Sequence, residues 1–186
     1  ADAEAIVNTY DGLLEYDIEN VQQPALATGY TVSDDGLTYT FKLREGVNWV
    51  DNQGNVIEKL TADSFVAGMQ HMLDAKGGLE YLVDGKIKNA SQYMAGEITD
   101  FAEVGVKAVD EYTLEYTLEA PCTYFTTMLG YGVFAPMSRA YFTANGGAFG
   151  VEEYAAASAT DAYTYGTAPD KIAYCGPYLV TSYAAS

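Results

Sequence analysis

The sequence predicts an α+β fold: an antiparallel or mixed sheet built from two hairpins and covered by helices. Three observations carry this reading. Leu37, Tyr39, Phe41 and Leu43 alternate with Thr38, Thr40, Lys42 and Arg44, and a period of two gives a strand one buried and one wet face. Leu114, Tyr116 and Leu118 alternate in the same way with Thr113, Glu115 and Thr117. Between the two runs, Phe65, Val66, Met69, Met72 and Leu73 recur at helical spacing and form an apolar stripe able to cover the sheet.

In chain order, residues 1–10 predict a short helix with Ile6, Val7 and Tyr10 on one side. Gly29-Tyr30-Thr31-Val32 supplies the antiparallel partner of the first strand, across the turn formers Ser33-Asp34-Asp35-Gly36. Trp49, the only tryptophan, follows that strand as a packing residue. Residues 51–55 are a loop of turn residues; they fail as a calcium loop, because Val56 stands where such a loop needs glycine. Thr61 can cap the next helix, and Asp63 sits where the helix dipole favours negative charge. Lys76-Gly77-Gly78 ends that helix, and residues 79–94 predict a less regular helical region with Leu82, Val83, Ile87, Ala90 and Tyr93 in phase.

Residues 101–109 open the second hairpin, which turns at Asp110-Glu111. Pro121 fits the first turn of a helix carrying Phe125, Met128 and Leu129 and stopped by Gly130. A short helix follows from Arg139 to Ala144, closed by Asn145-Gly146. Residues 146–170, rich in small residues and tyrosine, predict an irregular surface region with one helical turn at residues 152–156.

The totals bound the function. A chain of 186 residues suits one large or two small domains. No apolar run is long enough to insert in a membrane, and the opening ADAEAIVNTY has no signal-peptide pattern. A net charge of −17 argues against nucleic acid or an anionic membrane as partner. No catalytic set is visible, so the sequence predicts neither an enzyme nor a cofactor. His71 is the only histidine, and it reads as a surface or satisfied helix residue. A serine nucleophile elbow, a phosphate loop and a zinc pattern are missing. The pairs Asp34-Asp35, Asp110-Glu111 and Glu152-Glu153 fall in turns or polar segments, where solvation explains them. The 17 tyrosines suit half-buried strands and binding surfaces alike.

Two long strings are more specific than any of these features. V-S-D-D-G-L-T-Y-T-F-K-L-R-E-G-V-N-W at residues 32–49, followed by L-T-A-D-S-F-V at 60–66, closely resembles the family 5 extracellular solute-binding proteins, the peptide- and nickel-binding receptors of ABC importers. V-G-V-K-A-V-D-E-Y-T-L-E-Y-T-L-E-A-P at 104–121 continues the match, and Gly176-Pro177-Tyr178-Leu179-Val180 resembles the start of the strand by which the family returns to its first lobe. The resemblance implies part of a periplasmic-binding-protein-like (type II) fold. Residues 1–20 would be a piece of lobe one, 21–137 the small extra domain of the peptide-binding subclass, and 138–186 the return into lobe one. Family members are much longer, so the sequence looks like an N-terminal fragment.

The resemblance further implies a peptide ligand, ABC transporter permease subunits as partners, and an extracytoplasmic protein, in the periplasm or as a cell-surface lipoprotein. By position, Tyr81 would contact the ligand, with Tyr93 the second candidate. Cys122 and Cys175 both fall at the junction of small domain and lobe one, which makes them a candidate disulfide in an oxidising compartment; two separate buried thiols remain the alternative. Nickel, haem or an oligosaccharide would fit the same fold, and a stand-alone interaction or structural module is the alternative of another class.

Overall fold

The computed structural model describes residues 9–182; the helix expected at residues 1–10 falls almost wholly outside them. The central sheet has four antiparallel strands, β3 (Ala27–Val32), β4 (Thr38–Leu43), β7 (Val106–Asp110) and β8 (Thr113–Thr117), in the order β3-β4-β8-β7. Both hairpins therefore share one sheet, joined where β4 pairs with β8 through Tyr39↔Tyr116 and Phe41↔Leu114. Two further ribbons flank it: β1 (Leu14–Tyr16) with β2 (Gln22–Pro24), and β5 (Asn48–Val50) with β6 (Val56–Lys59).

Tyr39, Phe41, Leu114, Tyr116 and Leu118 are buried as their alternation requires. On the other face Lys42 is exposed, whereas Thr40, Glu115 and Thr117 are half-buried. Cross-strand neighbours explain the difference: Thr31, Thr40, Glu115 and Lys107 form one row across the four strands and shade one another. The aromatic core is a set of edge-on rings. Phe41 meets Tyr116 at 5.9 Å, and Phe125 meets Tyr116 and Phe134 at 5.6 and 5.7 Å between centroids.

Helix α1 (Ala62–Ala75) covers that core with Phe65, Met69 and Leu73. Thr61 is its N-cap, and the Thr61 amide donates to Ser64 Oγ at 3.2 Å. Ser64 Oγ also accepts from Trp49 Nε1 at 3.1 Å, so the buried tryptophan is a packing residue with its polar handle satisfied. Asp63 in the first turn holds Arg139 through two bonds of 2.8 and 2.9 Å.

Residues 51–55 are the expected loop of turn residues and form the turn of the β5–β6 hairpin, organised by Asp51, whose Oδ1 accepts from the Gln53 and Asn55 amides. Several other expectations need correcting. The helix after Pro121 is a single turn, α3 (Phe125–Met128), so Cys122 precedes it. Residues 101–103 are a 3-10 turn, not strand, with Asp100 accepting from the Ala102 amide. Residues 146–170 hold a two-turn helix, Val151–Ser158, and an aromatic cluster described below. Residues 176–182 form no strand; the nearest pairing is the bridge from Tyr174 to Val50. Residues from Leu13 to Ala173 share one hydrophobic cluster.

Candidate functional site

The end of α1 sets up the first sequence candidate. Lys76 takes a left-handed conformation (φ 48°), and Gly78 follows at φ 100°, a value that L side chains rarely adopt. Glu80 accepts from the Gly78 amide at 2.9 Å and starts a 3-10 turn, Glu80–Leu82. That turn directs Leu82 towards the core and leaves Tyr81 67% exposed. The short helix α2 (Ala90–Met94) closes the other side, with Ser91 Oγ bonded to Asp84 and accepting from the Gly85 amide. Lys76, Glu80, Tyr81, Asp84, Ser91, Met94 and Ala95 line a shallow, open depression of about 470 Å³. It offers an aromatic platform, an ammonium group and carboxylates already engaged with neighbours. Such a surface can stack and hydrogen-bond.

Tyr93, the second candidate, is corrected by the structure. Only 2% of it is exposed. Its hydroxyl donates to Asp74 Oδ1 at 2.7 Å and accepts from Gln70 Nε2 at 3.2 Å, and its ring stands edge-on to Phe101. A ligand cannot reach it. Burial raises the Tyr93 hydroxyl and, beside it, the Asp74 carboxyl above their ordinary values. The signal was available: Tyr93 falls in phase with Val83, Ile87 and Ala90, all of which are buried.

Cys122 and Cys175 are likewise corrected: both are free, half-buried thiols. Each is tied to a different part of the molecule. The Cys122 carbonyl accepts from Tyr39 Oη on β4 at 3.2 Å, whereas the Cys175 amide donates to the Thr9 carbonyl beyond the Tyr174–Val50 bridge. Burial pushes the Cys175 thiol up to about 12. At pH 8 its thiolate fraction is then about one part in ten thousand. Two free thiols are expected on titrating unreduced, denatured protein, and in native protein alkylation of Cys175 should lag behind that of the denatured chain by several orders of magnitude. Zero thiols would restore the crosslink.

His71 is half-buried, neither a plain surface residue nor a fully satisfied one as its sequence reading expected. Its Nδ1 is buried without a hydrogen-bond partner. Phe142, Tyr154 and Tyr165 surround the ring at 4.6, 5.3 and 6.2 Å between centroids. Sequence reasoning missed this site because its aromatic residues follow no single period. Among the described residues no group of three or more His, Cys, Asp or Glu is placed to hold a metal ion. No described helix is long and apolar enough to cross a membrane.

Residues 21–186 match the model of the bacterial extracellular solute-binding proteins, family 5 Middle. The oligopeptide-binding protein AmiA of Streptococcus pneumoniae is 38% identical over 178 residues, 96% of this chain and 25% of that protein. A probable deoxycholate-binding periplasmic protein of Escherichia coli, YgiS, is 39% identical over 138 residues, 73% of this chain and 25% of its own length. The substrate-binding domain of an oligopeptide ABC transporter from Bacillus anthracis superposes with a TM-score of 0.76 at 33% identity, over 98% of this chain and 31% of that one. Peptide-bound OppA of Listeria monocytogenes does so with a TM-score of 0.76 at 29% identity, over 94% and 30%. The chain thus spans about a quarter of the length of the curated relatives it matches, and its antiparallel sheets with covering helices are those of the periplasmic oligopeptide-binding fold. The chain belongs to the family 5 bacterial extracellular solute-binding proteins.

Proposed function

We propose that the chain is part of an extracytoplasmic receptor that captures peptides and hands them to the permease subunits of an ABC importer. It acts by binding, not by catalysis. The observation that carries this reading is the match of nearly the whole chain to proteins named for oligopeptide binding, in sequence and in fold. In this reading residues 1–20 and 138–186 belong to lobe one and residues 21–137 to the small domain. Tyr81 is the ligand contact, because its ring is exposed above an open depression. A depression this shallow cannot by itself surround and desolvate a peptide, so the site is completed by chain outside this span.

Calorimetry with di- to penta-peptides tests both statements. The full-length gene product is expected to bind, and the 186-residue chain to give no heat. Replacing Tyr81 with Ala in the full-length product should weaken binding by about fivefold, the loss of one aromatic contact worth about 1 kcal/mol. Micromolar binding by the 186-residue chain would overturn the incomplete-site argument. An unchanged affinity in the Tyr81 variant would remove that residue from the site. The similarity to the protein named for deoxycholate binding favours a second reading, an amphipathic steroid acid as ligand. Deoxycholate therefore belongs in the same titration, and binding of it in place of peptides would transfer the function to that reading.

A further inference from the structure

The segment after helix α4 (Arg139–Ala144) folds back onto α1 around a single imidazole. His71 projects from α1 into rings supplied by three places: Phe142 of α4, Tyr154 of α5 (Val151–Ser158) and Tyr165 of the loop that follows. Phe142 in turn meets Phe149, Tyr163 and Tyr165 at 5.1, 6.3 and 5.1 Å. The imidazole is thus the member of an aromatic cluster that α1 contributes. One turn along α1, Asp74 Oδ2 accepts from the Gly150 amide at 2.7 Å, just where α5 begins. These contacts tie residues 149–165 to α1.

We propose that His71 is a proton-sensitive latch: residues 149–165 stay docked on α1 while the imidazole is neutral and are released when it takes up a proton. A neutral ring packs in this cage as an aromatic. An imidazolium would hold its charge in this half-buried aromatic cage and, at Nδ1, carry a buried N–H donor without a hydrogen-bond partner. Burial accordingly pushes the imidazole down to about 4 from its ordinary 6.5. A folded value below the unfolded one means that the neutral ring's contribution is whole above about pH 6.5 and is lost as pH falls towards 4.

The other groups around the ring do not supply a counter-charge. Tyr165 is pushed up to about 12 and Tyr163 higher than its ordinary value, so both stay neutral across this range. Tyr154 is a ring contact, Tyr93 on α2 is neutral, and Arg139 on α4 is held by Asp63. The face of α1 towards the sheet presents Phe65, Met69 and Leu73. The carboxyls are Asp74, engaged by Tyr93 and Gly150, and Glu153, whose field falls on Asp74. Asp74 works in the opposite sense: its carboxyl is raised above 3.8, so acidification eases its burial.

Hydrogen exchange of the 186-residue chain between about pH 7.5 and about pH 4.5, corrected for intrinsic rates, reads the latch. Amides of α5 are expected to lose protection about 70-fold, the factor that follows from the two imidazole values, while those of β4 and β8 keep theirs. His71→Phe keeps an aromatic in the cage and removes the proton site, so α5 protection should become independent of pH. Asp74→Asn should retain the drop. Flat protection in the wild type, or an equal drop in His71→Phe, would overturn the proposal. Should His71→Phe not fold, the wild type still decides. As the only histidine, His71 gives one titrating ring resonance, whose midpoint must lie below 6.5 and coincide with the loss of α5 protection. A midpoint at 6.5, or α5 release without titration, would overturn it.

Discussion

Replacing Phe41 with Ala is expected to lower stability by about 3–5 kcal/mol, the cost of a large aromatic removed from a core that cannot collapse around the gap. Phe41 is fully buried in β4, an inner strand of the four-stranded sheet. Its cross-strand partners are Tyr30 and Leu114, and the Tyr30 and Tyr116 rings stand 5.2 and 5.9 Å away. Strands fix these neighbours from both sides, and α1 closes the layer above. The cavity would therefore persist. Lys42, one residue on, is exposed, and its Nζ donates to Thr113 Oγ1 at 2.8 Å, so Lys42→Ala should cost at most about 1 kcal/mol. Urea denaturation of the two variants checks the register. The reverse order of effects would mean that the strand is slipped by one residue, since a single step exchanges its faces.

The same alternation explains how far the fold was legible. β4 and β8 are long enough for a period of two to repeat, and α1 is long enough for its stripe to fix one face. The β5–β6 ribbon escaped, because strands of three and four residues show no period and Val56 is exposed. What determines that hairpin is Asp51, which accepts from the amides two and four residues on, and such local bonds read only as a turn. The β1–β2 ribbon escaped for the same reason, with its pairing held by Leu14↔Pro24 and its neighbours.

The site was legible only in part. Tyr81 and Tyr93 both lie after α1, and a residue count cannot tell an outward ring from an inward one. The helical phase can: Tyr93 follows the buried series, and Tyr81 does not. The aromatic cage of His71 was not readable at all. Its members come from α1, α4, α5 and a loop, separated by up to 94 residues between His71 and Tyr165, and only the chain reversal after α4 brings them together. The cysteines failed for a related reason. Both adjoin the expected junction, yet one belongs to the β4 side and the other to the β5 ribbon.

Gly68→Ala should destabilise the protein by about 2–3 kcal/mol, although the same change on an exposed helix would stabilise it by about 0.5–1 kcal/mol. Gly68 sits in the middle of α1, where alanine is the better helix former. Its retention there follows from packing. An added Cβ would overlap the Ala135 carbonyl oxygen and lie 3.2 Å from its carbon and 3.4 Å from the Met137 nitrogen. These are backbone atoms, so no rotamer change relieves the clash, and helix and segment must separate. Separation also strains the bond from the Met137 amide to the Ser64 carbonyl, 2.9 Å in the native packing. Overpacking of a close-packed interface costs about 1–3 kcal/mol, and the rigid obstacle places this case at the upper end. The melting temperature should fall by roughly 5–10 °C for a chain of this size, and the Met137 amide should exchange faster while β4 amides keep their native rank order. A melting temperature unchanged or raised would mean that α1 and the Ala135 segment are not in contact, and the helix would then lose the support that holds its Phe65, Met69 and Leu73 against the sheet.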